Sequence, residues 1–133
     1  MHMSSYRHMQ ELAVKYLKEV NPGEVLDVGS QDINGSYRPI FEAMKWSYTG
    51  LDVCRGKNVD IVAPNHNLFP LENESFDLVI SGQAFEHIGF FWQTFEEMVR
   101  VLRPGGMIFL IAPSRGPEHR YPQDCWRFYP DGY

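Results

Sequence analysis

The chain is predicted to form an α/β domain built on a doubly wound, mostly parallel sheet. Short apolar runs bounded by turn residues, "EVLDV", "SYTGLDV", "FDLVISG" and "MIFLIAPS", alternate with stretches of helical periodicity. The last run is apolar through its centre, as a strand is when helices cover both faces of its sheet. At 133 residues, 44% hydrophobic and 22% charged, the chain can bury one globular core and has no bias towards disorder.

From Ser5 to Val20, the residues Met9, Leu12, Ala13, Tyr16, Leu17 and Val20 fall at helical spacing, with Ser4 or Ser5 as N-cap and "NPG" as the stop. "EVLDV" is the first strand. "SYRPIFEAMKW" reads as a helix with Pro39 near its first turn, where a missing N–H costs little. "SYTGLDV" and "VDIVA" follow as strands across the polar loop "CRGKN", and "LFPLENES" turns the chain into "FDLVISG". "FWQTFEEMVRVL" places Phe91, Phe95, Met98, Val99 and Leu102 on one helical face and stops at "RPGG", ahead of the fifth strand, "MIFLIAPS". Residues 1–133 make one domain, whose segment 114–133 mixes three prolines with arginines, aromatics and acids without a period. That segment reads as a lid or acceptor-side loop with room for a short helical turn.

A net charge of -5, from 12 basic and 17 acidic residues, gives no electrostatic reason to expect a nucleic-acid backbone as partner. Cys54 and Cys125 stand far apart with no metal-ligand spacing, so neither a zinc site nor a disulfide framework is expected. No apolar run approaches the roughly 18 residues of a membrane span. The polar start "MHMSSYRHMQE" lacks the apolar core of a secretory signal, and the expected location is cytoplasmic.

Ligands of open parallel sheets sit at the carboxyl ends of the strands where the winding reverses, and the first strand-to-helix loop lies there. Here that loop is "VLDVGSQDINGSY", which brings Asp27, Gly29, Ser30 and Gln31 to the crevice. A dinucleotide requires GxGxxG for close approach of its pyrophosphate, but Gln31 and Asn34 occupy the second and third glycine positions. Asp32 would add negative charge beside the anion. S-adenosylmethionine has the opposite needs, because it offers an ammonium and a sulfonium instead of a phosphate. Asp52, at the tip of the second strand, is placed to accept from ribose hydroxyls. Strand-end capping is the alternative role for Asp27 and Asp52.

"VLDVGSxDxNGSYRP", "YTGLDV", "FDLVISGQAFEHI" and "EEMVRVLRPGGMIFLIAPS", in this order, resemble the motifs of class I S-adenosylmethionine-dependent methyltransferases of the type 11 branch over residues 23 to 131. The resemblance implies a Rossmann-like fold with strand order 3-2-1-4-5 and S-adenosyl-L-methionine as cofactor. It also implies that Asp27, Gly29 and Ser30 line the methionine end, with Gln31 beside them, that Asp52 holds the ribose and that Val53 packs on adenine. Ser81 and Gln83 lie where the family contacts the methionine moiety or the acceptor. The family's adenine-edge carboxylate has no match in "VAPNHN", which leaves that contact to backbone groups or Asn65. Gln31 and Ile33 replace the usual loop glycines, and Gly35 follows closely.

The implied activity is methyl transfer to a small-molecule or glycan acceptor, through oxygen. Holding donor and acceptor in line supplies much of the rate, and an oxygen acceptor also needs a base. His87 is the first candidate and His119 the second; helix capping is the competing role for Glu86 and His87. The tail residues Arg120, Tyr121, Asp124, Trp126 and Arg127 suit a polar acceptor, against a packed loop in which Asp124 pairs with Arg127 and Trp126 covers the core. The family fold continues past the fifth strand with a helix and two strands that this chain lacks. The expectation is therefore an open sheet edge, covered by a homodimer, a partner chain or the tail, or else a C-terminally truncated domain that keeps the cofactor half. The alternative function is a catalytically silent S-adenosylmethionine-binding or partner-binding module.

Overall fold

The computed structural model describes residues 3–132. In chain order it contains α1 (Met3–Leu17), β1 (Glu24–Val28), α2 (Arg38–Ala43), β2 (Ser47–Asp52), β3 (Ile61–Val62), β4 (Phe76–Gly82), α3 (Phe91–Val101) and β5 (Leu102–Ile111). Short 3-10 turns stand at Phe85–His87 and Pro130–Gly132. All strand pairs are parallel, in the order β3-β2-β1-β4-β5, which is the predicted Rossmann-like winding. It reverses between β1 and β4 and opens a crevice at their carboxyl ends.

Both faces of the sheet are buried, and the period of two along β1 divides its side chains between them. Val25 joins Met9, Ala13, Leu17, Ile40 and Phe41 under α1 and α2. Leu26 and Val28 join Val79, Phe85, Met98, Val101 and Phe128 on the α3 side. No helix among the described residues is long and apolar enough to cross a membrane.

Local boundaries depart from the sequence expectation for identifiable reasons. α1 begins at Met3, so Ser4 and Ser5 lie within it; Ser5 is buried, its hydroxyl 2.5 Å from that of Tyr37. Its core stripe is the narrow Met9, Ala13, Leu17 row, while Tyr16 and Val20 are exposed. Leu12 and Tyr16 overhang β5 and line an open groove with residues 107–110. On α3 the buried residues are Thr94, Met98 and Val101, with Phe91 partly buried against Phe85 and Phe128, so Phe95 and Val99 turn to solvent. α2 is shorter than "SYRPIFEAMKW", and Lys45 adopts φ 67 just past its end. Only Ile61 and Val62 of "VDIVA" form β3. "RPGG" is a bulge inside β5: Phe76 pairs with Leu102 and Leu78 with Met107, with Gly105 at φ 82 in the excursion.

Candidate functional site

The crevice is built first by Gly29. It follows β1 at φ 80, and a Cβ there would stand 2.5 Å from Ala84 Cβ, so only glycine lets the first loop press against the segment after β4. The loop then spends its amides within the protein. Gly29 and Ser30 donate to Leu51 O at 2.9 and 3.1 Å, and Asp32 donates to Lys57 O at 3.0 Å. Gln31 N–H goes to Asp52 at 3.1 Å and Gly35 N–H to Asp32 at 2.6 Å. The Asp32 carboxylate also pairs with Lys57 Nζ at 2.9 Å.

Beneath the loop lies Asp27, 3% exposed. Its Oδ2 accepts the hydroxyl of Tyr48, and its buried Oδ1 has no partner. Burial pushes Asp27 up to about 7 from 3.8, against the Tyr48 hydroxyl, with the charge of Asp52 adding to the rise and that of Arg38 opposing it. Asn58 Nδ2 donates to Tyr48 Oη at 3.1 Å and to Ser30 O at 2.8 Å. The Arg38 guanidinium stands 4.4 Å from the Tyr48 ring centre and donates to Asn58 Oδ1 at 2.6 Å and to Asp60 at 2.5 Å. Sequence reasoning missed this network. A tyrosine on an inner strand, whose hydroxyl needs a partner, was the available signal; nothing local marked Asn58 or Arg38.

The remaining predicted residues divide by orientation. Asp52, at the tip of β2, accepts Gln31 N–H on one oxygen and Cys54 N–H on the other at 3.0 Å, so it braces two loops and keeps further acceptor lone pairs. Val53 packs against the α3-side core. Gln31 lies across Gly56, where a Cβ would meet its Nε2 at 2.5 Å. Gln83 adopts φ 60, rare for a non-glycine residue, while its N–H donates to Ile111 O at 2.8 Å. Ser30 and Ser81 turn inward, their hydroxyls donating to Asn58 O at 3.1 Å and Val28 O at 2.8 Å. Asn65 sits on an exposed turn and accepts Asn67 N–H at 3.0 Å. The next residue, His66, is held below its ordinary value by burial, against the charge of Asp52.

A second cluster forms where the tail crosses the 3-10 turn after β4. α3 starts without a side-chain cap, so neither Glu86 nor His87 caps it. His87 Nδ1 lies 2.6 Å from Gln123 O, and the His87 and His119 rings are 5.6 Å apart. Glu86 is buried with Oε2 unpartnered; burial pushes its carboxyl up, against its own backbone N–H and the charges of His87 and Arg127. Cys125 and Trp126 donate backbone N–H groups to Glu86 O. Asp124 and Arg127 form a bidentate pair at 2.5 and 2.7 Å, which holds Asp124 well below the usual carboxylate range. Trp126 does not fill the core as expected. Its indole N–H donates to Ile88 O at 3.0 Å while the ring stays 38% exposed, and Phe128 takes the core position.

The methyltransferase domain family (Methyltransf_11) matches residues 26–110. The phthiotriol/phenolphthiotriol dimycocerosates methyltransferase 1 of Mycobacterium ulcerans is 38% identical over an 82-residue alignment that covers 51% of this chain and 30% of that protein. The PH0226 protein of Pyrococcus horikoshii superposes with a TM-score of 0.67 at 24% identity, covering 80% of this chain and 52% of the other. The 1,6-didemethyltoxoflavin-N1-methyltransferase of Burkholderia thailandensis, solved with S-adenosylhomocysteine bound, superposes with a TM-score of 0.63 at 20% identity, covering 86% and 55%. The structural likenesses show the fold, and the chain spans about half the length of those solved proteins and 30% of the mycobacterial one. The family match covers more than half of the chain, and the protein accordingly belongs to the class I S-adenosylmethionine-dependent methyltransferases, in the type 11 methyltransferase domain family.

Proposed function

We propose that the chain binds S-adenosylmethionine in the crevice between β1 and β4 and transfers its methyl group to an oxygen of a small-molecule or glycan acceptor. The observation that carries this reading is the unpartnered, buried Oδ1 of Asp27 beneath a loop whose amides are already spent. A buried polar atom without a partner is costly, and a ligand cation would relieve it. When bound, S-adenosylmethionine supplies an electrophilic methyl on a sulfonium sulfur. Asp27 would face its ammonium, Gly29 would admit its amino-acid end, and Asp52 would accept the ribose hydroxyls on its remaining lone pairs. Gln31 and Gln83 border the same crevice. Ser30, Ser81, Val53 and Asn65 are supporting positions, the serines by holding the loops in place.

His87 serves as the base that takes the acceptor proton. Phe90 and Trp92, 64% and 45% exposed, stack edge to face beside Trp126 and offer the acceptor an aromatic shelf. That shelf supports an acceptor with a broad nonpolar face, in keeping with the dimycocerosate acceptor in the mycobacterial relative's name. The test is calorimetric titration with S-adenosylmethionine, S-adenosylhomocysteine and NAD. Selective binding of the first two is expected; tighter NAD binding would refute the cofactor assignment.

Among the described residues the outer edge of β5 pairs with no strand, and that edge and its groove favour a second reading, in which a partner or second copy covers it and the domain binds cofactor without turnover. Methyl transfer by the isolated chain would exclude it.

A further inference from the structure

His87 is held from both sides by groups that the family match does not cover or assign. Its Nδ1 lies 2.6 Å from the main-chain carbonyl oxygen of Gln123, and the Gln123 side chain returns a bond from Nε2 to His87 O at 2.8 Å. A carbonyl oxygen only accepts, so Nδ1 carries the proton and Nε2 keeps a lone pair. On that side, the Glu86 Oε1 stands 3.8 Å from Nε2, and the carboxyl is buried. The segment that presents Gln123 is anchored along its length. Cys125 and Trp126 amides bond Glu86 O, the Trp126 indole bonds Ile88 O, and the Phe128 ring packs on Phe85 and Phe91 at 6.4 and 5.0 Å. The other titratable or charged groups around the imidazole are His119, Asp124 and Arg127, of which the last two neutralise each other.

We propose that Gln123 and Glu86 are positioning residues for His87: the Gln123 carbonyl fixes the Nδ1–H tautomer, and the buried Glu86 carboxylate stabilises the imidazolium formed when Nε2 takes a proton. The proposal rests on the reading of His87 as the base. In the proton transfer, the O–H electron pair stays on the acceptor oxygen and the proton moves to Nε2. Residues 119–128 are then a fixed wall of the acceptor site, because removing them would free the tautomer as well as open the surface.

The test is long-range nitrogen–proton NMR of the histidine rings in the full chain between about pH 5 and 9, with S-adenosylhomocysteine calorimetry on the same samples. The wild type should show neutral His87 as the Nδ1–H tautomer. Glu86→Gln should move the His87 Nε2 resonance while leaving the Nδ1–H tautomer in place, because the carboxylate faces Nε2 and the Gln123 carbonyl faces Nδ1. Phe128→Ala, which removes an anchor of the segment, should turn the tautomer into a mixture; if that variant does not fold, the wild-type spectrum decides. Neutral His87 with its proton on Nε2, or an unmoved Nε2 resonance in folded Glu86→Gln, would overturn the proposal. Loss of S-adenosylhomocysteine binding with the Nδ1–H tautomer intact would reject the cofactor reading and leave this geometry standing.

Discussion

Asp27 should make both stability and cofactor binding depend on pH. Its carboxyl is raised from 3.8 to about 7 by burial, so between those values the folded chain holds a proton that the unfolded chain has released. Its contribution to stability is therefore full below about pH 4 and is lost as pH rises through about 7. At about 1.36 kcal/mol per unit, the whole span amounts to about 4 kcal/mol. A ligand ammonium that needs the carboxylate form draws the equilibrium the other way. Only about a tenth of the sites are ionised at pH 6 and about three quarters at pH 7.5, so apparent affinity should rise about eightfold between them. An α-amino group with the ordinary value of about 7.7–8.0 has lost roughly a third of its protons at pH 7.5, which trims the expected rise to about fivefold to sixfold. Calorimetry at both pH values, in buffers of different ionisation enthalpy, should show close to one proton released per site at pH 6. Asp27→Asn should abolish both the release and the pH dependence. Affinity independent of pH, with no proton released by folded wild type, would refute the pairing of Asp27 with the ligand cation.

Tyr48→Phe leaves the second oxygen of Asp27 unpaired in the interior and should cost about 1–3 kcal/mol in denaturant unfolding, while raising the Asp27 midpoint further. Gly29→Ala places a methyl group 2.5 Å from Ala84 Cβ at φ 80; it should destabilise by about 2 kcal/mol or more and abolish S-adenosylhomocysteine binding in the same titration. Asp52→Asn retains the size of the side chain but removes its charge, and should weaken S-adenosylhomocysteine binding about tenfold or more; unchanged affinity in a folded variant would remove Asp52 from the ribose.

The winding of the sheet was legible because parallel strands buried on both faces write continuous apolar runs, and residues 78–80 and 107–112 do so plainly. The helix faces were less legible. Phe95 and Val99 satisfy the helical period as well as Thr94 and Val101 do, and only the anchoring of Phe91 by Phe85 and Phe128 selects the buried stripe. Asp27, Gly29 and Asp52 could be named as site candidates because strand ends and a tight turn restrict what stands there. Ser30 and Ser81 could be named too, but their inward hydroxyls depend on carbonyls 28 and 53 residues away. The Tyr48, Asn58 and Arg38 network was invisible for the same reason: each bond joins elements whose proximity exists only after β1 and β2 pair. Gln123 likewise meets His87 across 36 residues.

The acidic residues of the first loop, at odds with a phosphate site, become consistent once the donors and charges are followed to their partners. A nucleotide pyrophosphate needs free amides, and here five of them, from Gly29, Ser30, Gln31, Asp32 and Gly35, already have acceptors. It also needs cations, but Lys57 pairs with Asp32 and Arg38 with Asp60 and Glu42. Among the described residues, no ion pair joins Asp27 or Asp52 to a lysine or arginine. A unit anion brought to about 4 Å from the Asp52 carboxylate, or from Asp27 in its ionised form, would meet roughly 4 kcal/mol of repulsion at the effective dielectric of a protein surface, and a cation would gain a similar amount. Asp32 therefore acts as a brace that lets the loop dispense with its missing glycines, and the uncompensated charge left in the crevice selects for a cationic ligand. Substituting glycine at Gln31 and Asn34 should consequently fail to create NAD binding, because it restores the shape of a dinucleotide loop while leaving the sign of the field unchanged.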